Sequence, residues 1–342
     1  MSQLNEMKIK FAVIGCGHIG KKHSQMIYEN PCAKLVALVD LKPKSELGID
    51  EFNVPFFNSL EDFLNSEIEV DIINIATPNG FHANQAILSL NNKKHVVIEK
   101  PMALNTLDAK KIIEASKKNN KKVFCVMQNR YSPPSKWLKN LVESKKLGKI
   151  YIVKVDCFWN RDERYYTPNS WHGDLKLDGG TLFTQFSHFI DLIYWIFGDF
   201  KNISARFNNF NHQNLTHFED SGNVFFEFFN GGFGTLNYST SVFNKNFESS
   251  ITIIAENGSI KVGGQYMDKV EYCHVNDYKM PKLKPTNPGN DYGYYKGSAQ
   301  NHNFLIQNVI DVFLKNKSIT VDMMEGCKVV EIIEKIYSNK KN

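Results

Sequence analysis

The run Phe11-Ala12-Val13-Ile14-Gly15-Cys16-Gly17-His18-Ile19-Gly20 sets three glycines between an apolar strand and the first turn of an amphipathic helix. Few folds accept that junction. Gly15 permits a tight turn, Gly17 lets backbone approach a ligand, and Gly20 allows the helix to lie close on the strand. The backbone N–H groups of the helix start, at His18 and Ile19, combine with the positive dipole end to favour a pyrophosphate. Asp40 closes the next apolar run about 20 residues on, where a carboxylate can accept hydrogen bonds from ribose hydroxyls. The same charge repels the extra phosphate of NADP, so the unit predicts NAD. Lys42 and Lys44 lie just beyond and flank Pro43; they could bind that phosphate, but lysines beside a proline read more simply as a solvated turn.

Around this junction the first part of the chain alternates short apolar runs (9–14, 34–39, 70–76, 95–98, 123–127) with helical stretches (19–28, 82–90, 107–118). This is the rhythm of a parallel α/β sheet. After Pro133-Pro134 the pattern changes to long alternating runs (150–159, 224–229, 233–238, 250–255) with turns at Gly231-Gly232 and Asn257-Gly258, which predicts a large, mostly antiparallel open sheet. One apolar helix is predicted over 181–197, stopping at Gly198, an irregular loop over 280–297, and two closing helices near 298–315 and 325–338. The expected architecture is a dinucleotide-binding domain over 1–130 and a second, α+β domain over 131–342 that ends in the closing helices.

The 342 residues, with 42% hydrophobic and 23% charged, suit a folded chain of about two domains. A net charge of +5, spread along the chain, argues against nucleic acid as a partner. The longest apolar stretch is broken by Asp191, and the start lacks the features of a signal peptide, so no membrane partner and a cytoplasmic location are expected. The six cysteines form no C-x-x-C pair, and neither disulfides nor a metal are expected.

Ligands of open parallel sheets bind outside the carboxyl ends of the strands. Three such ends are chemically rich: Thr77, Pro78 and Asn79 with His82 soon after; Glu99-Lys100-Pro101; and Gln128-Asn129-Arg130-Tyr131. Lys100, held before Pro101, can donate to a substrate oxygen, although a surface lysine before a cis turn would look the same. His188 sits in the apolar helix, where a histidine is either a satisfied core residue or a proton acceptor; the Gly-rich approach over 171–180 suits a pocket. The stretch Asn160-Arg161-Asp162-Glu163-Arg164-Tyr165-Tyr166 can grip an anion through its arginines, or is an exposed mixed-charge loop.

Taken together, Gly15-x-Gly17-x-x-Gly20, Ala76-Thr77-Pro78, Glu99-Lys100-Pro101 and Gly179-Gly180 followed by His188 and Asp191 make the chain resemble the glucose-fructose oxidoreductase, inositol dehydrogenase and rhizopine catabolism (Gfo/Idh/MocA) family over nearly its full length. The resemblance implies a Rossmann domain plus an open-sheet domain, assembly into homodimers or tetramers through the open sheet faces, and Lys100 and His188 as the catalytic pair. Residues 128–134, 161–166 and 177–185 are similar to UDP-N-acetylglucosaminuronate 3-dehydrogenases of surface-polysaccharide synthesis. That likeness implies a UDP-sugar uronate as substrate, with Arg130, Asn160, Arg161, Arg164, Tyr165, Tyr166, Thr184 and Gln185 around it. It also implies cofactor contacts from Gly15 to Gly20 and from Asp40, Thr77, Pro78, Asn79, His82, Glu99, Lys100 and Gln128. Thr184 departs from the Asp that many family members carry four residues before the catalytic His, so a Lys-Asp-His triad does not carry over. An enzyme of the same family acting on another sugar or inositol, and a non-catalytic NAD-binding sensor, are the rival readings.

Overall fold

The computed structural model describes residues 8–168 and 170–340. They divide into two compact units: residues up to Val126 with His302–Val330, and Met127–Asn301 with the remainder from Glu331.

In the first unit, β1 (Ile9–Ile14), β2 (Ala33–Val39), β3 (Phe56–Phe57), β4 (Ile72–Ile75), β5 (His95–Ile98) and β6 (Val123–Cys125) form a six-stranded parallel sheet of order β3-β2-β1-β4-β5-β6. The order reverses between β1 and β4, and that reversal opens a crevice at the strand ends. Strand β4 is buried at every position and β5 nearly so, as a sheet covered on both faces requires. The connections are α1 (His18–Glu29), α2 (Lys44–Leu47), α3 (Leu60–Leu64), α4 (His82–Asn91) and α5 (Thr106–Asn119). Local chemistry sets their ends: Asn105 caps α5 by accepting from the Asp108 N–H at 2.8 Å, and Asn120 ends it in the left-handed region at φ 50°.

The second unit starts with α6 (Pro133–Glu143) and builds a seven-stranded sheet from β7 (Ile150–Phe158), β8 (Phe200–Asn208), β9 (Ser221–Phe228), β10 (Phe233–Ser239), β11 (Glu248–Ala255), β12 (Gly258–Gly263) and β13 (Lys269–Val275). Its order is β13-β12-β11-β7-β10-β9-β8, antiparallel except between β7 and β10. The predicted single helix over 181–197 is two, α7 (Thr181–Thr184) and α8 (Ser187–Phe197). The chain breaks where Gln185 is tied to Arg161 and Tyr165, and where Phe186 turns into the core against Trp159 and Tyr238. Gly198, at φ 93°, ends α8. The predicted irregular loop over 280–297 contains β14 (Gly289–Asp291) and the start of β15 (Lys296–Ala299), which pair as a hairpin.

The closing helices are α9 (His302–Leu314) and α10 (Met323–Ser338). The sequence reading gave both to the second domain, but residues 302–330 group with the first unit. There α9 packs on α1, with Asn30 Nδ2 donating to Gln307 Oε1 at 3.1 Å and the His23 and His302 rings 5.3 Å apart. Among the described residues no helix is long and apolar enough to cross a membrane. All six cysteines are free thiols, four of them buried.

Candidate active site

In the first unit the glycine turn is as tight as its sequence demands. Gly15 adopts φ +84°, and a Cβ built there would lie 2.7 Å from the Ala76 and Thr77 backbone; at Gly20 a Cβ would fall 1.7 Å from the Gly15 carbonyl oxygen. These two glycines seat α1 on the strand ends. Gly17 differs, since a Cβ there would meet nothing within 4 Å, and it begins α1 without any side-chain cap. Gly17 and His18 are exposed and Ile19 is half-buried, so the start of the helix borders open space. That opening fits a dinucleotide pyrophosphate. Burial pushes the Cys16 thiol up to about 12, so it sits in the loop as a neutral packing group.

Asp40 is fixed at the rim: its Oδ2 accepts from the Cys16 N–H at 2.7 Å and its Oδ1 from the Lys42 N–H at 2.9 Å. An Asp40→Ser variant is expected to lose about tenfold or more in kcat/KM with NAD, the order of a charged hydrogen bond, and to narrow the preference over NADP. The NAD:NADP ratio of kcat/KM checks this, and an unchanged ratio would remove Asp40 from cofactor choice.

At the neighbouring strand ends, Thr77 Oγ1 donates to Gln85 Oε1 at 2.6 Å, and Asn79 is buried in a short turn after Pro78. His82, expected at the cofactor, is fully buried instead, with Nδ1 2.7 Å from the Pro101 oxygen and Nε2 2.8 Å from the Thr77 oxygen. It clamps the ends of β4 and β5 together. Lys100 is half-buried immediately after β5, followed by a cis peptide to Pro101. The Glu99 carboxylate, also expected at the cofactor, turns into the unit: Oε1 lies 3.0 Å from His23 Nε2 and 3.6 Å from His302 Nε2. Burial pushes Glu99 up, but His23, His302 and Lys100 outweigh it and hold the carboxyl at about 2; burial pushes His302 down to about 3. His23 and His302 escaped the sequence reading. His23 carried a signal, lying one turn beyond Gly20 on the motif helix.

In the second unit, His188 is buried in α8 with Nε2 3.1 Å from Gln128 Nε2. Gln128, predicted at the cofactor, therefore meets the imidazole. Arg130, predicted at the substrate, is 1% exposed and forms a two-pronged pair with the fully buried Asp191, at 2.9 Å (Nε–Oδ2) and 2.6 Å (Nη2–Oδ1). Because Asp191 is one turn after His188, this pair anchors the helix that carries the imidazole.

The Arg161 side chain is likewise committed inside the unit. Its guanidinium donates to Gln185 Oε1 (2.9 Å), the Asn160 oxygen (2.6 Å), Asn246 Oδ1 (3.3 Å) and the Lys296 oxygen (3.2 Å), between the rings of Trp159, Tyr165 and Tyr295. Burial pulls its pKa below the ordinary value. Asn160 bonds to Asn246 and Val242, Gln185 to the Tyr165 hydroxyl, and Thr184 to Asp178. Tyr165 and Tyr166 are buried and meet edge to face, and burial pushes both hydroxyls up, so both stay neutral. The expected anion-gripping loop is in large part an internal scaffold; of its two arginines, Arg164, paired with Asp162, keeps the greater exposure.

A glycine-cradled helix start, a carboxylate at the end of β2 and a lysine at the end of β5 define a dinucleotide-dependent oxidoreductase. Residues 9–127 match the oxidoreductase family model with an NAD-binding Rossmann fold, residues 136–261 match the GFO/IDH/MocA C-terminal domain, and the chain belongs to that family. It is an NAD-dependent oxidoreductase. Among solved structures it is similar to the WlbA dehydrogenase from Bordetella pertussis, in complex with NADH and UDP-GlcNAcA: 29% identity, TM-score 0.87, covering 97% of this chain and 96% of that one. The WlbA dehydrogenase from Chromobacterium violaceum, with the same two ligands, is 29% identical at TM-score 0.87, over 98% and 94%. Oxidoreductase P35 of Formosa agariphila is 29% identical over 265 residues, which is 75% of this chain and 79% of that protein.

Proposed function

We propose that the chain oxidises the 3-hydroxyl of UDP-N-acetylglucosaminuronate to the 3-keto sugar nucleotide. The observation that carries this reading is the near full-length similarity to two dehydrogenases solved with NADH and UDP-GlcNAcA. NAD, held by the Gly15–Gly20 turn and Asp40, supplies the hydride acceptor. The residues of this chain handle the proton. In this reading His188 takes it from the hydroxyl as general base. Lys100 places a cation beside the oxygen and favours its charged form. Arg164, the most exposed of the predicted arginines, meets the uronate or diphosphate charge. The chain assembles with copies of itself through the outer face of the second sheet, where Phe233 and Ile254 flank Ile152 in register and Phe225 packs on Phe233. Phe225, Phe233 and Ile254 are exposed.

The test supplies purified protein with NAD and UDP-N-acetylglucosaminuronate and follows reduced nicotinamide, with a second arm that adds 2-oxoglutarate as oxidant and follows the sugar product. Turnover with the uronate and at least about tenfold less with UDP-N-acetylglucosamine is expected, the order of one charge-assisted contact. Equal turnover with free sugars or inositol, or none in either arm, would overturn the assignment.

A further inference from the structure

Three elements of the first unit converge on one carboxylate. His23 comes from the dinucleotide helix α1, Glu99 from the end of β5, and His302 from the first turn of α9, and all three are buried. Glu99 Oε1 lies 3.0 Å from His23 Nε2 and 3.6 Å from His302 Nε2, while Glu99 Oε2 accepts from the Lys100 N–H at 3.1 Å. On the far side, His23 Nδ1 is 2.7 Å from the Asn74 side-chain amide on β4. A carboxylate removed from water needs positive charge or donors around it, and its placement then becomes rigid. Here it bonds to the backbone of Lys100 itself.

We propose that Glu99 is a positioning residue for Lys100: clamped by His23 and His302, it fixes the strand end that carries Lys100 and supplies the negative charge that keeps the ammonium protonated. This rests on the reading of Lys100 as a catalytic group. Glu99, His82 and His302 of this unit interact electrostatically with Lys100, with His23 behind Glu99 and Lys22 acting on His302. Of these, Glu99 is the anion, so its removal has one sign. Losing it destabilises the ammonium, and the pH limb that reports Lys100 moves to lower pH, whether activity needs the lysine charged or neutral.

The test compares the full-length wild type with Glu99→Gln, which keeps the shape and removes the charge. Expected are a fall in kcat of about tenfold or more, a KM for NAD within about threefold of wild type, and a downward shift of that limb by about one pH unit. NAD titration and thermal melting establish that the variant folds. If Glu99→Gln folds and keeps both kcat and the pH limb, the proposal is overturned; if it loses NAD binding with kcat intact, Glu99 serves the cofactor and the proposal is again overturned. A Lys100→Met arm separates the two readings: full activity there sinks the catalytic role of Lys100, whereas an inactive Lys100→Met beside an unaffected Glu99→Gln sinks the role given to Glu99. Metal analysis closes the test, because stoichiometric divalent metal in protein prepared without chelator would make the same three side chains ligands instead.

Discussion

Lys100→Met is expected to lower kcat about 10³-fold while NAD binding changes little, because the pyrophosphate and ribose contacts proposed for the cofactor fall at Gly15–Gly20 and Asp40 and not at the end of β5. Met keeps the aliphatic stem and removes the ammonium, so packing is held near constant while the charge offered to the developing alkoxide disappears. His188→Asn is expected to cost a comparable factor through loss of the proton acceptor, and the double variant little more than either single one, since groups that serve one step are not additive. Single-turnover reduction of NAD, with binding followed separately, checks all three. Undiminished turnover in either single variant would remove that residue from the reaction, and undiminished turnover in both would end the dehydrogenase mechanism as drawn.

The second large effect concerns stability. Asp191→Ala leaves the Arg130 guanidinium, 1% exposed, without its carboxylate and is expected to cost about 3–5 kcal/mol. Replacing both partners by apolar residues, as in R130M/D191L, is expected to recover most of that loss, since no charge is then stranded. All four tryptophans (Trp137, Trp159, Trp171 and Trp195) belong to the second unit, so tryptophan fluorescence in denaturant reports the unit that holds the pair. A change below about 1 kcal/mol in D191A would show that the pair is compensated by other contacts.

The first unit was legible because its signals are local. Strands β1 and β5 fall at the predicted residues, since a strand buried on both faces reads as an unbroken apolar run. The second sheet was legible in its centre and not at its margins. Strands β8 and β13 contain Lys201, Asn202, Arg206, Lys269 and Glu271, because edge strands face water, and no alternation survives to announce them. The surroundings of the site residues were less legible. Arginine usually lies outside, so Arg130 and Arg161 read as ligand grips; what buries them is Asp191 for one, and for the other Tyr295 together with the nearby Trp159 and Tyr165, so the decisive partners Asp191 and Tyr295 are far off in sequence. His23 and His302 meet only because the chain returns to the first sheet after completing the second.

That return has a consequence for how the protein is made. The nucleotide-binding half is encoded in two separated stretches, and the segment bearing His302 is synthesised only after residues 127–301 of the other half. No uninterrupted fragment ending near residue 126 holds all its parts, so a truncation intended to isolate that half would keep the glycine turn yet lack the imidazole that closes on Glu99.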